Sequence, residues 1–527
     1  MSRPCGVRWV CQISCPGRQD PIVEATRLSD RHLTAGTRLG RYEIRSTLGA
    51  GGMGVVYEAR DGIAGRDVAL KVLPGMDADS LHSFKRGFRA GADLEHTNLV
   101  RLHELLTVDG AWAYSMELVR GTSLRAALEE PGLMPGSPAY FERVRALFVQ
   151  LARALSALHR ARLLHLDVKP ANVLVEKMTG RVVLLDFGLA AAREPVGLGR
   201  RLTVAGTPEY LAPETARGEA PLPASDVYAL GVVLFETLTG SLPIRGTSAR
   251  EILLNKIDCD PPRASELCSD TPLDLDLLAA RLLHRSPRSR PTLDEIEKLL
   301  GKPASPRPTA LRNSIGPTHR FGELTSLGEG LSRMARGEPQ AVVLQGPIGS
   351  GKRALIETFT DWARAQPRTL VLTARCHPRE TMPFRALDPI IDAITDHLCR
   401  MPPGLVATWI PPGIRSAVGL FPVLLRVEAI RRALVTEPID DGPVVSPFEA
   451  IEALIRELSA TCRLVIVLED LEWGDEASAR LVGELLSGED AVPLLFVGTC
   501  STEGGPSPFL RVLEQRAPEG RRRCVSL

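Results

Sequence analysis

The first half of the chain changes from a strand-like to a helix-like pattern of apolar residues. From "RYEIRSTLG" (41–49) to about residue 120, short apolar runs alternate with turn glycines, which predicts strands. Longer amphipathic patterns follow, such as "RVRALFVQLARALSALHRA" (143–161), and these predict helices. The pattern therefore predicts a small β-rich lobe followed by a larger helical lobe.

The second half of the chain has a different pattern. Residues 300–319 are rich in Pro, Gly, Ser and Thr without an apolar period, which predicts an interdomain linker. Helical patterns then separate four short β-rich runs: "AVVLQG" (341–346), "TLVLTA" (369–374), "LVIVLED" (464–470) and "PLLFVGT" (493–499). This alternation predicts an α/β domain with a parallel sheet. We thus expect a disordered leader at 1–40, a first domain at 41–299, the linker at 300–319 and a second domain at 320–527.

Composition narrows the class of protein. The chain has 527 residues, of which 44% are hydrophobic and 24% are charged, as is usual for soluble globular proteins. The 64 basic residues balance 63 acidic ones, so no global field recruits nucleic acid or anionic lipid. No apolar run is long enough to span a bilayer, and the first residues lack the apolar core of a secretory signal. We expect a cytoplasmic protein with no nucleic-acid partner and no membrane insertion.

A glycine-rich stretch opens the first domain. Its glycines allow a hairpin backbone to lie close over phosphate groups, because no Cβ intrudes. The predicted cover consists of Leu48, Gly49, Ala50, Gly51, Gly52, Met53, Gly54, Val55 and Val56. Lys71 follows in the strand pattern "DVALKVL" (67–73) and is a candidate partner for the α- and β-phosphates. Each signal alone is weak, since a glycine hairpin is commonly only a turn and a strand lysine is commonly only solvated.

Further candidate residues follow in a fixed order. Asp167 can accept a hydroxyl proton, and Lys169 can neutralise a phosphoryl group in transfer. Asn172 and Asp186, the latter in "DFG" (186–188), can hold Mg²⁺, and "APE" (212–214) closes the segment. Each of these five motifs is weak evidence by itself, but together and in this order they are strong evidence for one common site.

At these residues the sequence resembles the eukaryotic-like serine/threonine protein kinases of bacteria, over about residues 41–299. The resemblance implies an α+β bilobal kinase fold that binds ATP and Mg²⁺ in the cleft and transfers the γ-phosphoryl group to Ser or Thr of protein substrates. It also implies a hinge at 114–121 with Glu117 against the nucleotide. Further implied roles are an Asp226 brace for the catalytic loop, an Arg290–Glu214 salt bridge, and Thr207 as a support for Asp167 and Lys169.

Two positions depart from the family pattern. Gly87 stands where the family has a glutamate that pairs with the strand lysine, so Lys71 is predicted to lack that partner unless Glu95 or Glu104 substitutes. With Gly91 it also predicts a frayed regulatory helix, because each glycine costs roughly 1 kcal/mol relative to alanine. Leu166 replaces the arginine beside Asp167 that pairs with a phosphorylated activation segment. Activity should therefore depend less on phosphorylation of the candidate site Thr203.

The second domain carries a P-loop pattern, "LQGPIGSGKR" (344–353), between a strand and a helix. Gly346, Gly351 and Lys352 are its predicted nucleotide-binding residues, at a helix N-terminus. Arg353 replaces the Ser or Thr that would bind Mg²⁺, and a guanidinium has no lone pair to offer.

The sequence around the P-loop resembles part of the AAA-like ATPase modules of signal-transduction NTPases. Glu469 and Asp470 end a strand and are suited to hold a metal and a water. With Arg353 in the P-loop we predict nucleotide binding rather than hydrolysis, the alternative being a vestigial fold in which Lys352 only caps a helix. The terminal run "RRRCVSL" (521–527) is interpreted as a solvated tail.

The sequence thus predicts a serine/threonine kinase whose output is tuned by a nucleotide-binding module. The alternatives are a non-catalytic ATP-binding pseudokinase scaffold and a P-loop ATPase with a decorative kinase domain. The protein substrate, the signal and the question of a homodimer for autophosphorylation stay open at this point.

Overall fold

The computed structural model describes most of the chain beyond residue 32. The described residues are 33–51, 54–73, 75–108, 111–187, 207–301, 321–436, 445–487, 491–503, 505 and 507–527. Most of the predicted leader, nearly all of the predicted linker, and Gly52, Met53 and Thr203 lie outside them.

The first lobe is a six-stranded antiparallel sheet with one long helix. The strand order is β1-β2-β3-β4-β6-β5. The strands are β1 (Arg38–Leu39), β2 (Tyr42–Gly51), β3 (Gly54–Asp61), β4 (Arg66–Val72), β5 (Leu102–Val108) and β6 (Ala111–Glu117). Helix α1 (Ala78–Ala92) connects β4 to β5, and the Asp77 side chain caps its start by accepting from the Ser80 N–H at 2.7 Å. The predicted β-rich lobe is confirmed.

The second lobe is helical, as predicted. A small sheet, β7 (Gly121–Ser123), β8 (Val173–Glu176) and β9 (Val182–Leu184), lies at its junction with the first lobe. The helices are α2 (Pro138–Arg160), α3 (Pro213–Ala216), α4 (Pro223–Thr239), α5 (Ala249–Asp258), α6 (Ala264–Leu267), α7 (Leu273–Leu282) and α8 (Leu293–Leu300). Buried apolar residues of α2, α4 and α7 form one core with those of α1. This core joins the two lobes behind the cleft, and the α+β bilobal kinase fold is confirmed.

The C-terminal domain is an α/β fold with a five-stranded parallel sheet. Its strand order is β11-β12-β13-β10-β14. The strands are β10 (Gln340–Gly346), β11 (Thr369–Arg375), β12 (Arg463–Glu469), β13 (Leu494–Ser501) and β14 (Arg522–Ser526). The first four are the strands that the sequence predicts. Their near-continuous apolar runs fit burial by helices on both faces.

Nine α-helices are described in this domain. They are α9 (Phe321–Met334), α10 (Lys352–Arg364), α11 (Asp388–Cys399), α12 (Pro403–Ala407), α13 (Ile414–Leu420), α14 (Glu428–Thr436), α15 (Pro447–Thr461), α16 (Glu476–Leu486) and α17 (Pro508–Arg516). Helix α10 follows the P-loop directly, as expected of a nucleotide-binding α/β domain.

The interpretation of the terminal arginines as a solvated tail is wrong. Residues Arg522–Ser526 form β14, which pairs in parallel with β10, and the Leu527 N–H donates to the Gln345 carbonyl at 2.7 Å. Val525 and Leu527 pack on the buried core of the sheet, while Arg523 stays exposed at the edge. The alternation of Val525 and Leu527 was the available signal, and three adjacent arginines obscured it.

None of the helices within the described ranges is both long enough and apolar enough to cross a membrane.

Candidate active site

The catalytic loop between α2 and β8 is fixed from below by Asp226 of α4. The buried Asp226 carboxylate accepts from the backbone N–H of His165 at 2.9 Å and of Leu166 at 2.8 Å. Leu166 has φ of +63°, which is uncommon for a residue other than glycine. The charge-assisted bonds to Asp226 hold this strained turn, and the expected brace is confirmed.

Asp167 lies at the centre of a closed hydrogen-bond network. Lys169 Nζ is 2.7 Å from Asp167 Oδ2 and donates to Thr207 Oγ1 at 2.9 Å, while the Thr207 hydroxyl donates to Asp167 Oδ1 at 3.0 Å. The amide nitrogen of Asn172 donates to the Asp167 carbonyl at 2.8 Å and to its Oδ2 at 3.0 Å. The structure therefore brings together Asp167, Lys169, Asn172 and Thr207, and it fixes the carboxylate in one orientation.

The strand lysine reaches into the same cleft. Lys71 Nζ is 2.7 Å from Asp186 Oδ2, and the Tyr114 hydroxyl donates to Asp186 Oδ1 at 2.8 Å. Burial and the neighbouring Asp186 carboxylate raise the pKa of Tyr114 well above its usual value, so this phenol stays a donor. Asp186 has φ of +56°, and both of its oxygens are held. Sequence reasoning missed Tyr114, for which no motif gives a signal.

Neither alternative glutamate replaces the one absent at Gly87. Glu95 contacts Arg101 at 2.6 Å, and Glu104 accepts from the Tyr42 hydroxyl at 2.6 Å on the far side of the sheet. Lys71 pairs with Asp186 instead. The sequence-based prediction that Lys71 lacks a glutamate partner on the helix agrees with this geometry.

The prediction of a frayed regulatory helix is wrong. Helix α1 runs without a break from Ala78 to Ala92, with Gly87 and Gly91 buried. A Cβ at Gly91 would lie 3.0 Å from the ring of Phe187, which follows Asp186 and is itself buried. Gly91 thus makes room for Phe187 against the helix, and tertiary packing outweighs the low helix propensity of glycine.

The glycine-rich hairpin has two kinds of glycine. Gly54 has φ of +113°, and a Cβ there would lie 2.1 Å from the Val72 carbonyl oxygen, so this position requires glycine for strand packing. A Cβ at Gly49 or Gly51 would meet nothing within 4 Å, which leaves the open space that a phosphate cover needs. Ala50 pairs with Val55 across the hairpin, Gly49 pairs with Val56, and Leu48 is half exposed before them.

Two further acids of the kinase domain, Glu117 and Glu214, are each paired with an arginine. Glu117 ends β6 at the hinge, where its carboxylate accepts from Arg181. The buried Arg290 guanidinium contacts both Glu214 oxygens at 2.8 Å, which confirms the expected salt bridge. Burial would raise the pKa of Glu214, but Arg290 and Ser225 lower it below its usual value, so the pair is ionised.

The cleft residues fit ATP with Mg²⁺. The Asp186 carboxylate and the Asn172 amide oxygen are hard oxygen ligands of the kind that Mg²⁺ prefers. Lys71 and Lys169 supply two cations near them. Donor chemistry, charge and the open space at Gly49 and Gly51 agree with one another.

The P-loop forms a second nucleotide-site candidate. Gly349 and Gly351 adopt left-handed φ of +81° and +86°, and α10 begins at Lys352. The Lys352 ammonium donates to the carbonyls of Gly346 at 2.7 Å and Pro347 at 2.9 Å. The loop therefore has the backbone shape of a phosphate cradle, with its lysine drawn onto the loop itself.

The acids opposite the P-loop differ in environment. Burial raises the pKa of Glu469, and the nearby Arg353 only partly opposes this. Asp470 has φ of +60°, and its carboxylate accepts from Arg375 Nε at 2.5 Å. The Arg353 guanidinium is exposed and contacts Glu357 at 3.1 Å. A cation thus stands where a magnesium ligand is expected, and the donor set for Mg²⁺ is poorer than in the kinase cleft.

Comparison with known proteins matches two separate segments of the chain to protein families. Residues 42–300 match the protein kinase domain family, and residues 317–497 match the AAA ATPase domain family. The serine/threonine-protein kinase PrkC of Bacillus subtilis is 33% identical over 48% of this chain and 38% of its own length. The serine/threonine-protein kinase PknA of Mycobacterium tuberculosis is 34% identical over 52% of this chain and 64% of its own length.

The similarity to these relatives is confined to part of each protein, since the chain spans less than two thirds of the length of either. Among solved structures, the Mycobacterium tuberculosis PknI kinase domain is 26% identical over 51% of this chain and 98% of that chain, with a TM-score of 0.41.

Proposed function

Residues 42–300 are a protein kinase domain similar to bacterial serine/threonine kinases and residues 317–497 are an AAA ATPase domain, and on that premise we propose that the chain transfers the γ-phosphoryl group of ATP to Ser or Thr of protein substrates. The supporting observation is the closed network of Asp167, Lys169 and Thr207. A carboxylate held in this way is oriented to accept a hydroxyl proton before substrate arrives.

Each side chain of the cleft then has a role in the reaction. Asp167 orients the acceptor hydroxyl and takes its proton, and Lys169 neutralises charge on the phosphoryl group in transfer. Lys71 contacts the α- and β-phosphates, and the hairpin from Leu48 to Val56 covers them. Asn172 and Asp186 would hold Mg²⁺, which neutralises charge on the β- and γ-phosphates. Thr207 keeps Asp167 and Lys169 in register.

The C-terminal domain is proposed to bind nucleotide and to regulate the kinase. Gly346, Gly351 and Lys352 bind the phosphates at the start of α10, while Arg353 disfavours the metal step of hydrolysis. The proposed setting is cytoplasmic signalling on protein substrates, with neither nucleic acid nor membrane insertion. Autophosphorylation between two copies of the chain is a further part of this proposal.

One observation favours a second candidate function, a non-catalytic ATP-binding scaffold. Helix α1 offers no acid to Lys71, because Gly87 takes that position. The ammonium is held only from the Asp186 side among the described contacts. An enzyme with this arrangement needs another support for the helix.

Transfer of labelled γ-phosphate by the purified chain, to itself and to a generic basic protein, tests the proposal. We expect the chain to label Ser or Thr, and Asp167→Asn to lower the rate by about 100-fold or more, the usual contribution of a positioned general base. Asp274→Asn is the matched control, since Asp274 lies on the surface with Arg145. Equal, minimal labelling by the unmodified chain and by Asp167→Asn would favour the scaffold.

A further inference from the structure

Helix α1 of the kinase domain is packed against the C-terminal domain through a buried ionic cluster. Lys85 is 1% exposed, and its ammonium contacts both oxygens of Asp388 at 2.8 Å and Asp392 at 2.9 Å. Both acids belong to α11. A lysine is almost never buried to this extent without such partners.

Arg89, one helical turn later, engages the same acids and one more. Its Nε contacts Glu380 at 2.6 Å, its Nη2 contacts Asp388 at 2.5 Å and its Nη1 contacts Asp392 at 2.7 Å. Burial alone would lower the pKa of Arg89, but the three carboxylates raise it, so the guanidinium stays charged. We call Glu380, Asp388 and Asp392 the acidic triad.

The contact continues to both ends of the helix. Near its start, Asp79 accepts from Arg426 Nε at 3.0 Å, and at its C-cap Asp93 contacts Arg375 Nη1 at 3.3 Å. The C-terminal domain also covers the edge strand β5 of the kinase sheet. Leu105 of β5 donates to the Arg379 carbonyl at 2.8 Å, and its own carbonyl accepts from Thr381 at 3.2 Å. The C-terminal domain thus forms one isolated parallel β-bridge, Leu105 with Glu380, at the edge of the sheet.

These contacts reach the helix on the face opposite to its missing acid. Lys85 and Arg89 are four residues apart and share one face. Gly87 lies about 160–200° around the helix from both of them, at 100° per residue. In the kinase family the acid at this position ties the helix to the strand lysine from inside the lobe. Here the helix is intact without that tie, and it is held from outside.

We propose that the C-terminal domain positions the regulatory helix of the kinase, with Lys85 and Arg89 as positioning residues and the acidic triad as their docking partner. The inference rests on the proposed kinase function. It explains why a helix with two glycines is continuous and why Phe187 is packed against it at Gly91. The kinase cleft is then fully organised only while the C-terminal domain is docked.

The interface also contains a link to the P-loop. Arg375 bridges Asp470, the acid at the end of β12, and Asp93 at the C-cap of α1. A water beside a bound nucleotide that donates to Asp470 competes with Arg375 for the same carboxylate. Occupancy of the P-loop can thereby change the contact at the end of the regulatory helix.

Hydrogen–deuterium exchange on the full chain tests the proposal. We expect Arg89→Met, and separately Asp388→Asn on the opposing domain, to speed exchange within 78–92 by about tenfold or more, because the helix loses its outer support. Arg86→Met makes the same chemical change at an exposed position of the same helix and should change exchange far less than Arg89→Met does, because the Arg86 side chain is not buried in the interface. Exchange within α4 (223–239) should stay constant in all variants and reports that the kinase core is folded.

Phosphate transfer gives the second measurement. Arg89→Met should lower the transfer rate about tenfold or more, and adding Gly87→Glu should restore part of it by creating the family's pair with Lys71. Unchanged exchange within 78–92 in both Arg89→Met and Asp388→Asn would overturn the proposal, as would faster exchange with an unchanged transfer rate. If the unmodified chain transfers no phosphate, the kinase function fails, while the exchange measurement still decides whether the C-terminal domain holds the helix.

Discussion

The two candidate nucleotide sites of this chain each lack a different kind of residue. The kinase cleft keeps Asp167, Lys169 and Asn172 in one hydrogen-bond network and Asp186 paired with Lys71, but it lacks the helix glutamate that would orient Lys71. The P-loop keeps its left-handed glycines and Lys352, but Arg353 stands at the metal-ligand position. The kinase cleft therefore lacks a residue that positions Lys71, and the P-loop lacks a metal ligand.

A contact that positions a helix can be replaced by contacts elsewhere on that helix, whereas a metal ligand has to lie at the metal itself. The regulatory helix is braced by Lys85 and Arg89 against acids of another domain, so its position does not require Gly87 to be a glutamate. Direct coordination has no such substitute, because a metal ligand must lie about 2.0–2.1 Å from Mg²⁺. We therefore assign the proposed phosphate transfer to the kinase cleft and the proposed regulation to the P-loop.

The largest effect is expected from removing a metal ligand of the kinase cleft. Asp186→Asn should lower phosphate transfer by about 100-fold or more, because it removes both a carboxylate for Mg²⁺ and the partner of Lys71. A magnesium titration of the transfer rate measures this, with Asp274→Asn as control. Transfer within threefold of the unmodified chain would place the metal elsewhere.

A smaller gain is expected from repairing the P-loop. Arg353→Ser restores a hydroxyl ligand and should raise magnesium-dependent nucleotide affinity at the C-terminal domain by about tenfold, or ~1.4 kcal/mol. Calorimetric titration of ATP with and without Mg²⁺, in a Lys71→Met background, measures it. Arg364→Ser on the same helix is the control. If affinity does not change, the loss of the ligand is not what limits this site.

The last prediction concerns the pH dependence of stability and only the kinase domain. Burial lowers the pKa of Lys256 to about 7, from 10.5 in the unfolded chain, and its ammonium donates to the Glu209 carbonyl at 2.8 Å. Between pH 7 and 10.5 the unfolded state binds the extra proton, so the free energy of unfolding of this domain should rise with pH. Lys256→Met should flatten that slope. Thermal unfolding of both proteins across this window measures it, and parallel slopes would refute the assignment.

The sequence predicts the parts of the molecule that depend on local signals. Apolar runs predict four of the five strands of the C-terminal sheet, and ordered motifs predict the contacts of Asp226 and Arg290. The edge strand β14 is not predicted, because its arginines mask the alternation of apolar and polar residues over its five positions. The helix expected after the P-loop is also observed, and it begins at Lys352.

Long-range contacts explain the remaining differences. The residues that stabilise α1 lie some 300 positions away, at Asp388 and Asp392, and nothing in the pattern of 78–92 points to them. Helix propensity alone therefore predicts fraying. The pairing of Lys71 with Asp186 and the role of Tyr114 likewise depend on tertiary placement.

The central claim is that chemistry belongs to the kinase cleft, and the transfer rate of two single variants tests it most directly. Lys71→Met should lower the transfer of labelled γ-phosphate by about 100-fold or more, whereas Lys352→Ala should retain more than about one tenth of the rate. Both lysines are replaced by uncharged side chains, so the comparison is between sites. Transfer that survives Lys71→Met but is lost in Lys352→Ala would contradict the account.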